Sequence, residues 1–296
     1  MLIVNICEMS ELSMRYGKSN RNSYINKRLW LVLPLVLFIS MVVIGTVKVI
    51  GIISNYNQSV NVYENIAQAA LTISEESLPK DTEETILILD EYGNTQVLEH
   101  EDTDKVKERL SVDFDMLKAI NEDVCMWIIS DDGRINYPVV QGSDNEYYID
   151  HLFNGNENDS GAIFIDFRNS SDLSDKNTFV FGHNMRDGSM FGRLEEMGVT
   201  GFRIITPVKT YKLTAFAGYV VPGDSDIYQI AFSDDEDFGR YIERIRLMSE
   251  FDSGVAVNNE DKIITLSTCN YDFNDARYVL HLKLEIDDNK GDLVDE

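Results

Sequence analysis

Leu29 to Val47 is a run of 19 residues with no charged side chain. As an α-helix it spans about 28 Å, close to the hydrocarbon thickness of a bilayer. A segment of this kind divides a chain into one part before the membrane and another beyond it. Arg15, Lys18, Arg21, Lys27 and Arg28 precede it, and such basic flanks stay on the cytoplasmic side. Pro34 is expected near the start of the spanning helix, where a missing backbone donor costs little. The alternative is a cleaved secretory signal, but that has a shorter apolar core and a small-x-small site soon after it. The residues read as a cytoplasmic tail (1–28) and an uncleaved transmembrane anchor (29–50).

Charge divides at the same place. Residues 1–54 hold six basic and two acidic side chains, whereas the rest holds 20 basic against 49 acidic. A domain that acidic repels phosphate backbones, which excludes nucleic acid as a partner. No run places oxygen ligands at the alternate positions of a calcium loop. Cysteine is scarce: with Cys7 inside, only Cys125 and Cys269 lie outside. Exported domains stapled by disulfides show a paired framework. A single Cys125–Cys269 bridge is open to the sequence, but the favoured reading leaves at least one exported thiol free.

After the anchor, residues 51–103 read as an extracellular stalk or linker, polar and mixed over 52–80, with a small hairpin around Gly93 within Thr85 to Leu98. The folded region is expected over 104–288, followed by an acidic C-terminal tail at 289–296. Leu110, Phe114, Leu117 and Ile120 recur at helical spacing and predict an amphipathic helix from residue 104. Short strands come next. MWII, Asp132-Gly133 and RINYPVV make a hairpin, and GAIFIDF, NTFVFGH, GFRIITPV, VKTYKLTAFAGYVV, KIITLSTC and RYVLHLKLEI continue the series. In the last, Tyr278, Leu280, Leu282, Leu284 and Ile286 share one face and Val279, His281, Lys283 and Glu285 the other, the alternation of a half-buried strand. A late helix is predicted after a Ser233/Glu236 capping box, with Phe238, Tyr241, Ile242, Ile245 and Met248 as its packing stripe. The pattern is mostly β with peripheral helices, a barrel or sandwich.

Three residues stand at strand ends, where side chains leave the core. Cys269 ends KIITLSTC, behind Ser267 and Thr268. His183 ends NTFVFGH, with Gly182 leaving room for a substrate and Asn184 next in the chain. Arg277 begins the final strand eight residues after Cys269, opposite it if the two strands pair; Asp272 and Asp275 are ready ion-pair partners. Singly, each has a bland explanation: a buried inert thiol, a structural His, a surface ion pair.

Together, TLSTC, the preceding His and the following Arg resemble the signature of the sortases. NEDVCMWIISDDGRINYPVVQGSDNEYYIDHLFNG, GAIFIDFRN, NTFVFGHNMRDGSMFGRL and LSTCNYDFNDARYVLHLKL resemble class B in particular, over residues 104–287. The resemblance implies an eight-stranded sortase-type β-barrel behind a transmembrane helix, with Cys269, His183 and Arg277 as catalytic residues and Cys125 as packing. It implies a cysteine transpeptidase of a Gram-positive cell wall. Its substrates would be surface proteins carrying a C-terminal sorting signal, cut after Thr. A thioester would then be resolved by an amine of a peptidoglycan precursor or a pilin. Ser267, Thr268 and Asn184 are expected beside the substrate, and no metal or organic cofactor is implied. A thiolate nucleophile, an imidazole working in both directions and an arginine fork for the oxyanion suit acyl transfer. The alternatives are a cell-wall cysteine peptidase or amidase, whose Cys commonly precedes its His, and a non-catalytic anchored binding domain.

Overall fold

The computed structural model describes residues 6–76, 87–89, 95–97 and 107–287. The chain falls into two compact units, 1–58 and 59–296. A single helix, α1 (Ile6–Ala70), runs through the first and into the second. Pro34 therefore lies well inside a helix, not near its start as expected. From Leu33 to Ile53 its large apolar side chains are exposed, and this is the helix among the described residues long and apolar enough to cross a membrane.

The last turns of α1 fall within the stretch expected as a stalk, 51–103, and four of their residues are buried. Ser59, Tyr63, Ile66 and Ala70 are buried, the last three within the main apolar cluster. Their spacing of four, three and four residues places them on one helical face. Asn57, Asn61, Glu64, Asn65 and Gln68 are exposed on the rest of the helix surface. A strand, β1 (Leu71–Glu76), then pairs antiparallel with β4 (Lys107–Val112), and β2 (Leu87–Leu89) pairs with β3 (Thr95–Val97) as the hairpin expected there. Gly93, the rest of the stalk and the tail 289–296 lie outside the described residues.

The helix predicted from residue 104 begins later. Residues 107–112 are β4, and α2 is Phe114–Ile120, capped by Asp113, whose carboxylate accepts the Met116 N–H at 2.9 Å. An N-cap carboxylate satisfies one of the four orphan donors at a helix start, which sets the boundary. Leu110 and Phe114 therefore belong to different elements.

Eight strands close a barrel: β5 (Val124–Ser130), β6 (Asn136–Val140), β7 (Ile163–Ile165), β8 (Asn177–Phe181), β9 (Gly201–Ile205), β10 (Thr210–Pro222), β11 (Lys262–Cys269) and β12 (Ala276–Ile286). Their order round the barrel is β10-β12-β11-β8-β7-β6-β5-β9. Closure leaves no edge strand unpaired. β5 and β6 form the expected hairpin, with Gly133 at φ +72° in its turn, a conformation open to glycine. β8 and β11 are parallel neighbours, and β12 returns antiparallel beside β11.

The barrel is covered on one outer side by α3 (Asp235–Met248), whose Phe238, Tyr241, Ile242 and Ile245 are buried while Met248 is exposed. Asp234 caps this helix in place of Ser233, and Asp237 reaches back to the Ser233 N–H at 3.1 Å. α3 also changes the reading of β12. Tyr278, Leu280 and Leu282 fill the barrel, but Val279 and His281 on the other face are fully buried as well. The strand is covered on both sides, and its alternation marks two cores rather than core and solvent.

Candidate active site

β8 and β11 run parallel, with Phe181 opposite Ser267, and Gly182 N–H extends the ladder to the Ser267 carbonyl at 3.2 Å. Two residues further on, the chains leave the sheet at His183 and Cys269, on strands about 4.8 Å apart. β12 starts beside them, with Arg277 directly opposite Cys269. The fold therefore brings the three residues to one end of three adjacent strands. All three are partly exposed.

Side-chain alternation sets the face. Ile264 and Leu266 point into the barrel core, whereas Thr265 and Ser267 point outward to His281 and Tyr228. Cys269 belongs to the outward set, under the loop that carries Tyr228. Burial raises the pKa of the Tyr228 hydroxyl, opposed by its Ser267 hydrogen bond and by Arg277 and reinforced by Cys269. Tyr228, Phe179 and Phe181 pack their rings on this face.

Each of the three has a defined partner. The His183 Nε2 lies 2.7 Å from the Ile149 carbonyl oxygen. A carbonyl can only accept, so Nε2 carries a hydrogen and Nδ1 is the nitrogen left to exchange a proton. Arg277 donates to Asp275 at 2.8 Å and to the Ala276 carbonyl at 3.1 Å. These bonds use two of the five guanidinium donors. The amide after the thiol is already engaged, Asn270 N–H donating to the Ala276 carbonyl at 2.8 Å. Cys269 and Cys125 are both free thiols. Cys125 instead donates to the Val139 carbonyl at 3.3 Å, and burial pushes its thiol up to about 12.

The residues expected beside a substrate lie around the Cys269 strand, and two of them bond within the protein. Ser267 is buried with its hydroxyl 3.0 Å from that of Tyr228. Thr268 is buried on the barrel side, its hydroxyl unpartnered, lining a cavity of about 290 Å³ with Asn184, Phe191 and Tyr278. Asn184 donates through Nδ2 to the Cys269 carbonyl at 2.6 Å, tying the His183 loop to the Cys269 strand. Gly182 likewise makes room for protein rather than substrate, since a Cβ there would run into Ile163 and Phe191. Tyr271 and Phe273, in the turn after Cys269, and Tyr147 and Ile149, in the turn that supplies the His183 partner, are exposed. Two contributors were not found from sequence. Ile149 acts through its backbone, which no side-chain pattern reveals, and Tyr228 sits in a loop without periodicity.

A family model described as the sortase domain matches residues 129–285. The sortase B of Listeria monocytogenes is 35% identical over 177 residues, covering 57% of this chain and 72% of that protein. The crystal structure of Clostridium perfringens sortase B aligns with a TM-score of 0.56 at 33% identity, over 58% of this chain and 99% of that one. A Staphylococcus aureus sortase B–substrate complex aligns with a TM-score of 0.56 at 29% identity, over 59% and 85%. With a closed eight-stranded barrel and a free thiol at the end of β11, these matches show that the chain belongs to the sortase family, in its class B, and is a cysteine transpeptidase.

Proposed function

We propose that this chain cuts the C-terminal sorting signal of surface proteins after Thr and joins the product to an amine of a cell-wall precursor or a pilin. It works on the outer face of the membrane that its N-terminal helix spans. The observation that carries this reading is the pairing of Cys269 with Arg277 beside the strand end of His183.

Cys269, as thiolate, attacks the carbonyl carbon of the scissile peptide, since only the ionised sulfur is a competent nucleophile. The negative charge that develops on the carbonyl oxygen falls to the unused donors of Arg277, the adjacent Asn270 amide being already bonded. His183 gives a proton from Nδ1 to the leaving amine, the C–N bond breaks, and a thioester remains on the sulfur. The acceptor amine then attacks the thioester carbon and loses its proton to Nδ1, and the thiolate departs. The Ile149 carbonyl, by holding Nε2, keeps the ring in the tautomer this cycle needs. A membrane-anchored enzyme suits substrates that are themselves held at the membrane.

The test is turnover by the full chain in detergent micelles, using a library of Thr-containing sorting-signal peptides and free amine acceptors read by mass spectrometry. Wild type is expected to yield both cleaved and amine-capped products, and Cys269→Ala neither. Equal turnover by the Ala variant contradicts the proposal, and binding without cleavage by wild type counts against the proposed sorting-signal substrate.

A further inference from the structure

The Ile149 carbonyl is a backbone group at the end of a short 3-10 turn, Tyr147–Ile149, in an exposed loop. It holds His183 only if something holds it. The structure shows two routes from His183 to a single buried side chain, Tyr63, on the last turns of α1.

The first route passes through the loop. Tyr63 O–H donates to the Gly161 carbonyl at 2.7 Å and accepts from Phe153 N–H at 3.3 Å. Ala162 N–H closes back onto the Tyr148 carbonyl at 2.9 Å. Gly161, at φ +56°, lies so close to Tyr148 and Ile149 that a Cβ would run into both carbonyl oxygens. Fixing Gly161 therefore fixes the peptide that holds His183 Nε2. The second route passes through the barrel. The Tyr63 ring stands edge-on to Tyr137, centroids 5.2 Å apart at 86°. The Tyr137 hydroxyl accepts from Met190 N–H at 3.0 Å, and Phe191 N–H donates to the His183 carbonyl at 2.9 Å. One side chain thus braces both the imidazole's partner and the histidine's own backbone.

We infer that Tyr63 is a positioning residue for His183, through Gly161 and Ile149 on one side and Tyr137 and Met190 on the other. This rests on the reading of His183 as the acid–base group. The hydroxyl, by holding the loop peptide, keeps hydrogen on Nε2 and leaves Nδ1 facing the reaction. Without it the loop loses two hydrogen bonds, and the imidazole is free to rotate or change tautomer. Fine placement of a general acid–base group governs kcat more than substrate affinity.

The experiment uses the full chain in detergent, with Tyr63→Phe, which keeps the ring and removes the hydroxyl. Kinetics are read with the best library peptide, and the ring nitrogens of His183 by ¹⁵N NMR, assigned by loss of signal in His183→Gln. Tyr63→Phe is expected to lower kcat about tenfold, a fraction of what general acid–base catalysis supplies, with KM within about twofold, and to replace the Nε2–H signal by a tautomer mixture. Ile66→Ala, buried on the same helical face, is expected to lower the melting temperature with kcat and His183 signals unchanged. Tyr137→Phe tests the second route and is expected to repeat the Tyr63→Phe pattern, so a Tyr63 variant that fails to fold leaves the inference decidable. Wild-type kcat and an intact Nε2–H signal in Tyr63→Phe or, should it not fold, in Tyr137→Phe overturn it, as does an equal loss of kcat in Ile66→Ala. A wild-type chain with no turnover counts against the proposed function instead, because the nitrogen spectrum still reports the brace.

Discussion

Arg277 is bonded to Asp275 and to the Ala276 carbonyl. A lysine could keep the ion pair with Asp275, but as a point charge it cannot bond a salt partner and a carbonyl oxygen as a planar fork does. Arg277→Lys is therefore expected to lower kcat/KM about 100-fold, the scale set by loss of one oxyanion donor, with little change in melting temperature. Near-normal turnover would reduce Arg277 to a surface ion pair. The two described thiols separate in the same way. Burial pushes Cys125 up to about 12, so at pH 8 it stays protonated, while Cys269 lies partly exposed at a strand end. Iodoacetamide treatment and peptide mapping are expected to find Cys269 modified and Cys125 intact; the reverse pattern would move the nucleophile. At this scale the sequence was informative about Cys269, His183 and Arg277 because all three stand at strand ends, which the fold brings together. It was silent on Ile149, which meets His183 through a backbone carbonyl, and on the bonds that Ser267 and Asn184 make within the protein, to Tyr228 and to the Cys269 carbonyl.

Among the elements, β12 and α3 show how polar groups become core. His281 is fully buried between them, with hydroxyls of Thr265 at 2.9 Å and Tyr219 at 3.0 Å on its two nitrogens. Asn177 donates to Tyr241 and Gln229, so its oxygen accepts from Thr265, whose own oxygen is then left to accept from His281 Nδ1–H. The ring is held neutral, and burial takes its pKa down to about 3. The unfolded chain binds this proton near pH 6.5 and the folded chain does not, so stability is complete above 6.5 and declines as pH falls towards 3. The loss is about 1.4 kcal/mol per pH unit in that window. Thermal melts from pH 7 to pH 5 are expected to show a steeper decline for wild type than for His281→Gln; parallel slopes would contradict the buried neutral ring. The alternation in β12 was legible, but its second buried face was not, because only the arrival of α3 distinguishes a covered face from a wet one. The start of α2 was misplaced for a related reason: Leu110 lies on the helical period by coincidence, and the Asp113 cap decides the boundary.

At the scale of the whole molecule, the compact unit that contains the site begins at Ser59, within the helix Ile6–Ala70. A chain starting at Ser59 is expected to melt close to the full chain, whereas one starting at Leu71 loses Tyr63, Ile66 and Ala70 from the main core. Removing buried side chains the size of Tyr63 and Ile66 costs about 2–5 kcal/mol each, so the shorter chain is expected to melt many degrees lower or not fold; equal melts would make those turns a stalk after all. The barrel itself was readable as a series of short strands punctuated by turns. The docking of residues 59–70 was hidden because its apolar stripe is narrow and set among Asn, Ser and Glu.

The central claim is that Cys269 carries the acyl group. The full chain, incubated with a cleavable sorting-signal peptide and no amine acceptor, then quenched in acid and digested, is expected to give one peptide containing Cys269 heavier by the mass of the acyl fragment ending in Thr, and to lose that mass on treatment with hydroxylamine. An acyl mass on any other residue, or cleavage with no adduct on Cys269, would contradict it.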